Sequence, residues 1–121
     1  MNKPFCIADR LRSFCFAIAG IFTVLKTQHN AWIHVVATVG VVVAGFLLKV
    51  SAAEWCGLVA AMVLVWMAEC FNTAIEFLAD VVSPEFHPLV KKAKNIAAGA
   101  VLMAAIGAVI IGLLVFLPHL N

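Results

Sequence analysis

The sequence predicts an all-α integral membrane protein, with three membrane-spanning helices preceded by an amphipathic helix at the membrane surface. Composition carries the class: of 121 residues, 65% are hydrophobic and only 12% are charged. The mean hydropathy of +1.12 points the same way, well above an ordinary soluble domain. A chain this short has too much surface to hide so many apolar groups in its own core, so much of the apolar area must face lipid. The distribution is the last observation. Ala31 to Leu48, Trp55 to Leu78 and Ile96 to Leu117 are apolar stretches, each long enough to cross roughly 30 Å of hydrocarbon at about 1.5 Å per residue.

At the N-terminus, Leu11, Phe14, Cys15, Ile18, Phe22 and Leu25 repeat at helical spacing behind Arg10 and Arg12. This predicts a surface helix over about residues 9–27. Its polar face is weak, since Ala17, Ala19 and Ile21 are also apolar, so a re-entrant or deeply sunk course is the alternative. A secretory signal peptide fits poorly: Asp9, Arg10 and Arg12 interrupt the apolar run and no small-x-small site follows a clean core. The segment is expected to stay on the mature protein.

The first span is expected over about residues 31–48 and the second over about 55–80. The short connection Lys49 to Glu54 makes them an antiparallel pair. A longer loop, about 81–95, carries Pro84, Pro88, Lys91, Lys92 and Lys94 before a third span over about 96–117. The whole chain reads as one membrane-embedded domain.

Lys3, Arg10, Arg12 and Lys26 precede the first span and three lysines precede the third, while the other side holds only Lys49 and His119. By the positive-inside rule the N-terminus and the 81–95 loop are cytoplasmic and the C-terminus lies outside. A net charge of +2 without one long basic run argues against a nucleic-acid partner. Cys6, Cys15, Cys56 and Cys70 have neither zinc nor disulfide-framework spacing, so they are expected to act as apolar filler. In the third span Ala100, Ala104, Ala108 and Gly112 recur every four residues. Such a stripe lets helices approach closely in lipid, within the chain or between copies.

The chemistry is expected at the end of the second span. Glu69, Asn72, Glu76 and Asp80 are spaced by three, four and four, so at about 100° per residue they share one helix face within roughly 80°. Acidic side chains at membrane depth are costly and are by default functional candidates. The structural alternative is a set of interhelical hydrogen bonds, which a single Asn or Ser would supply without several acids. Carboxylates and a carboxamide at the cytoplasmic end suit a hard divalent cation, Mg²⁺, and nucleotide phosphates. Lys91, Lys92 and Lys94 then serve as an inside-positive anchor, as neutralisers of phosphate charge, or as both.

Glu69-Cys70-Phe71-Asn72-Thr73-Ala74-Ile75-Glu76, then Asp80, then Ser83-Pro84-Glu85-Phe86-His87-Pro88, then Lys91-Lys92-Ala93-Lys94-Asn95-Ile96-Ala97-Ala98-Gly99-Ala100-Val101-Leu102 make a connected pattern. It resembles the E-x-x-N-[ST]-A-x-E…D and A-K-D-x-[AG]-[AS]-[AG]-A-V-L signatures of the bacterial diacylglycerol kinase and undecaprenol kinase family. The resemblance covers nearly the whole chain. It implies a homotrimeric enzyme of the bacterial inner membrane, with sites composed between subunits, that moves the γ-phosphate of MgATP to a lipid hydroxyl. By the same resemblance Glu69 is the general base, Glu76 holds metal, and Asn72, Glu76, Glu85, His87, Lys94 and Asn95 contact nucleotide. Glu69 and Ala98 then meet the lipid, with Thr73 and Asp80 in support. His34, in the N-x-x-x-H segment Asn30 to His34, is expected to pack or to meet headgroups. The Ser83 to Lys94 segment looks more like undecaprenol kinases than proteobacterial diacylglycerol kinases.

Three positions depart from the pattern. Gln28 stands where many relatives place a second metal-binding glutamate, Asn95 replaces the aspartate of A-K-D, and Trp32 replaces a frequent arginine. A neutral amide accepts hydrogen bonds but attracts Mg²⁺ less and cannot serve as a base, so weaker metal or nucleotide binding is expected. A family member without activity is therefore one alternative, against which stands the retention of Glu69, Asn72, Glu76 and Lys94. The other is a small multidrug-type transporter, but such proteins usually have four spans and one isolated acid.

Overall fold

The computed structural model of the chain describes residues 3–121, and every regular element among them is helical. Helix α1 spans Ile7–Thr27, α2 His29–Leu47, α3 Ala52–Val82 and α4 Pro88–Phe116, followed by a 3-10 turn over Leu117–Leu120. Helices α2, α3 and α4 are long and apolar enough to cross a membrane. That makes three candidate spans among the described residues, where the transporter alternative usually has four.

Helix α1 has Asp9 in its first turn and Lys26 in its last, each complementing the partial charge of its helix end. Only Val24 is buried within it. The single extended residue Gln28 (φ −111°, ψ 116°) separates α1 from α2. The Gln28 N–H still bonds the Val24 carbonyl at 2.9 Å. The two helices thus meet at a sharp corner with almost no loop.

The 19 residues of α2 give about 28 Å of rise, close to the hydrocarbon thickness. It ends in a paired-bond cap: Lys49 N–H bonds the Phe46 carbonyl at 3.3 Å and Val50 N–H bonds the Gly45 carbonyl at 3.2 Å. Lys49 takes the left-handed conformation (φ 54°) where such a cap ordinarily has glycine. Ser51 then caps α3: its hydroxyl accepts from Glu54 N–H at 3.2 Å, while the Glu54 carboxylate accepts from Ser51 N–H at 2.7 Å. This reciprocal box satisfies two otherwise free donors.

Two boundaries differ from the sequence expectation. The second helix runs over Ala52–Val82 instead of about 55–80, because the Ser51–Glu54 box starts it earlier. The 81–95 loop shrinks to Ser83–His87, because Pro88 is the first residue of α4 and the His87 ring caps it. A proline at that position loses no helical hydrogen bond. The lysines expected in a loop therefore stand on the first turns of a helix.

The most extensive packing is between α3 and α4. Val50, Leu58 and Val115 form a buried cluster against Val41, Leu48, Trp55, Ile111 and Phe116. At the same end His119 Nε2 lies 3.1 Å from both carboxylate oxygens of Glu54, tying the last turn of the chain to the start of α3. Large apolar side chains such as Val36, Phe46, Met103, Val109 and Leu114 are exposed, as a lipid solvent or a second copy requires. Of the cysteines expected to fill the packing, only Cys70 is partly buried; Cys6, Cys15 and Cys56 are exposed on the apolar surface.

Candidate active site

Helix α3 brings the polar stripe down into the bundle. Glu69 retains 1% of its exposure, Asn72 8% and Thr73 2%, and these are the buried polar residues of the described chain. Glu76 is half-buried and Asp80 exposed. The stripe therefore climbs from a dry floor at Glu69 to a wet rim at Asp80. By helical rise that is about 16 Å.

The floor is short of partners. The Thr73 hydroxyl donates to the Glu69 backbone carbonyl at 2.8 Å. That bond leaves the Glu69 carboxylate untouched. Among the described residues the buried side-chain polar atoms without a hydrogen bond are both Glu69 carboxylate oxygens, Asn72 Oδ1 and His34 Nε2. Native proteins leave few such atoms, because each forfeits its hydration without compensation. Here all of them belong to one locus. Asn72 Nδ2 makes only a long 3.5 Å contact to Glu76 Oε1.

His34, expected to pack or to meet headgroups, lies instead against the acid. Its Nε2 is 3.3 Å from Glu69 Oε2, within ion-pair range but without hydrogen-bond alignment. Its ring meets Trp66 edge-on with 6.0 Å between centroids, and Trp66 Nε1 donates to the Thr38 hydroxyl at 3.0 Å. A crevice of about 510 Å³ between α2, α3 and α4 opens beside His34, with Thr38, Val65, Ala108 and Gly112 in its walls. The signal that finds His34 from sequence is the rule already applied to Glu69, that an ionisable side chain inside a span is a functional candidate.

At the rim, Lys94 Nζ lies 3.2 Å from Asp80 Oδ1, so the start of α4 meets the end of α3. Asp80 is exposed and Lys94 half-exposed, and such pairs hold their charges loosely. Lys91 Nζ sits 5.9 Å from the Phe86 ring centroid. His87 uses Nδ1 to accept from Leu89 N–H at 3.2 Å, so one ring nitrogen is committed to capping α4. Glu85 is exposed, and its backbone carbonyl accepts from the Ser83 hydroxyl at 2.7 Å. Asn95 and Ala98 are exposed on α4, and Gln28 stands half-buried at the α1–α2 corner.

No three His, Cys, Asp or Glu side chains converge at metal-ligating distance among the described residues. A protein-only cage is therefore absent among the described residues; the Glu76 carboxylate stands one helical turn from Asn72, whose Oδ1 is unpartnered. Asn72 turns Nδ2 toward Glu76 Oε1, so the Glu76 carboxylate is the donor that fits Mg²⁺, which ordinarily keeps one or two protein carboxylates and takes its other oxygens from phosphate and water.

The family model for prokaryotic diacylglycerol kinase matches residues 15–116. An undecaprenol kinase from Bacillus subtilis is 40% identical over 109 residues, covering 90% of this chain and 89% of its own. A diacylglycerol kinase from Synechocystis is 43% identical over 111 residues, covering 91% of this chain and 63% of its own. The diacylglycerol kinase of Escherichia coli K12 is 36% identical over 101 residues, covering 78% of this chain and 83% of its own.

Proposed function

Because this chain belongs to the prokaryotic diacylglycerol kinase family and is thereby a lipid kinase, we propose that it transfers the γ-phosphate of MgATP to the hydroxyl of a membrane lipid, undecaprenol in preference to diacylglycerol. The observation that carries the site is the locus of unpartnered buried polar atoms on Glu69, Asn72 and His34. A dry carboxylate at the end of an otherwise apolar span has a use where a proton must leave an alcohol out of contact with water.

In this reading Glu69 accepts the proton of the lipid hydroxyl as its oxygen bonds to the γ-phosphorus, while the bond from that phosphorus to the ADP oxygen breaks and ADP leaves. Glu76 and the Asn72 carboxamide would hold Mg²⁺, with Gln28 offering a weaker amide oxygen, and the ion would supply positive charge against the phosphates. Lys94 exchanges Asp80 for phosphate, an exchange helped by the exposure of both groups. Glu85, His87 and Asn95 stand on or beside the same rim and take the rest of the nucleotide. Thr73 and Asp80 support the acid face, and Ala98 borders the lipid. Little covalent chemistry is demanded of the protein, so positioning and charge dominate.

Undecaprenol is favoured by the Ser83–Lys94 segment and by the end-to-end match to an undecaprenol kinase. The active form we propose is a homotrimer in the bacterial cytoplasmic membrane, with the α1 start and the Ser83–His87 connection inside and the C-terminus outside. The one-sided basic residues support the orientation. The exposed apolar faces and the small-residue stripe support association. Gln28 and Asn95 favour a second reading, a family member without activity.

The test is transfer of labelled phosphate from MgATP to undecaprenol and, separately, to diacylglycerol, by purified protein in mixed micelles beside Glu69→Gln. Transfer to undecaprenol that falls at least about 100-fold in the variant is expected of a lost general base. Absence of transfer to either lipid, including after Asn95→Asp, moves the assignment to the inactive reading.

A further inference from the structure

Among the described residues His34 is the one side chain on a neighbouring helix in ion-pair contact with Glu69, and nothing in the phosphoryl-transfer reading above uses it. From this geometry we infer that His34 is a positioning residue for Glu69: it donates its Nε2 hydrogen to Oε2 and so aims Oε1 at the lipid hydroxyl. The inference rests on the kinase reading.

Three observations converge. Glu69 is 1% exposed, and neither of its oxygens has a hydrogen bond within the described chain. A buried carboxylate with two free oxygens and several χ angles lacks a defined orientation, and general-base transfer needs the accepting oxygen within about 3 Å of the proton donor. Second, the ring nitrogen facing it is itself buried and unpartnered. A carboxylate oxygen accepts, so the tautomer with hydrogen on Nε2 completes both groups at once. The 3.3 Å separation comes within hydrogen-bond alignment by a small rotation of either side chain. Third, the ring is held from behind. Its edge contact with Trp66 and the Trp66 bond to Thr38 tie the histidine to both α2 and α3. His34 therefore has a support chain of its own, which a residue present only to fill space does not need.

The arrangement leaves the atoms of the reaction unchanged. The hydroxyl proton goes to Glu69, and the Nε2 hydrogen stays on His34 throughout. What the histidine supplies is the direction of the carboxylate, a role whose loss typically costs about 10- to 100-fold in rate.

Full-length protein in mixed micelles is assayed as wild type, His34→Leu, His34→Gln, Glu69→Gln and the double variant His34→Leu/Glu69→Gln. His34→Leu is expected to lower kcat about 10- to 100-fold with KM for MgATP unchanged. His34→Gln, whose terminal amide N–H reaches the same place, recovers most of that loss. Because His34 acts through Glu69, the double variant is no slower than Glu69→Gln alone. Overturning results are His34→Leu within twofold of wild type, His34→Gln as poor as His34→Leu, or losses that multiply in the double variant. The ¹⁵N resonance of His34 Nε2 gives a readout independent of turnover. A protonated Nε2 that shifts on Glu69→Gln supports the pair, and an insensitive one overturns it. A shifting resonance in a wild-type protein without transfer to any lipid sinks the kinase reading and reduces the contact to a structural one, which overturns the positioning role as well.

Discussion

Replacing Gly45 by alanine tests the packing that sets the register between α2 and α3. A Cβ at this position stands 2.5 Å from Trp55 Cη2, 2.6 Å from Cζ2 and 3.1 Å from Cζ3. Ordinary carbon contacts begin near 3.5 Å, so the indole must retreat by about 1 Å. It has little room to do so. Trp55 packs against the Val50, Leu58 and Val115 cluster, and Phe46 covers it with 5.0 Å between ring centroids at 51°. Overpacking of this kind costs about 1 to 3 kcal/mol, against a gain of about 1 kcal/mol for alanine over glycine inside a helix. The expected net is a loss of up to about 2 kcal/mol.

Reversible unfolding of Gly45→Ala in mixed micelles by increasing denaturing detergent measures that loss. The same substitution in a Trp55→Leu background isolates its cause. Without the ring the clash disappears, and alanine should become neutral or stabilising, a coupling of about 1 to 3 kcal/mol between the two positions. A Gly45→Ala effect that is the same in the wild-type and Trp55→Leu backgrounds, with no coupling between the two positions, refutes the close approach.

Thr38→Val removes the acceptor of the Trp66 indole while keeping the side-chain shape. It is expected to cost about 1 kcal/mol of stability and, by loosening the support of His34, to lower kcat severalfold; unchanged turnover separates the tryptophan from the site. Asn95→Asp restores an anionic oxygen at the rim and is expected to lower the MgATP concentration for half-maximal transfer. Identical MgATP curves remove position 95 from nucleotide binding.

Two helix starts are set by local motifs that hydropathy does not weigh. Ser51 and Glu54 spell a capping box, and Pro88 behind His87 spells a helix start, yet hydropathy alone put the first boundary at Trp55 and the second at Ile96. Hydropathy reports where the chain is apolar, and a helix extends past that region into polar residues whenever its caps are satisfied. The acid stripe was legible because its spacing is a property of one helix. His34 reads from sequence as packing or headgroup contact, because its neighbour Glu69 belongs to another helix and no periodicity connects the two.

The sequence by itself determined the membrane class, three spans, the grouping of basic residues ahead of the first and third spans and the order of polar groups along α3. All of these follow from composition and from about 100° of rotation per residue, which are local. Only the tertiary structure decided that His34 faces Glu69, that Lys94 reaches Asp80 and that Glu54 closes on His119. Those pairings depend on how each helix is rotated and slid against its neighbours, and close contacts such as Gly45 on Trp55 help set that register. The side chains in contact there come from segments far apart in the chain, and hydropathy within one segment carries no information about the other.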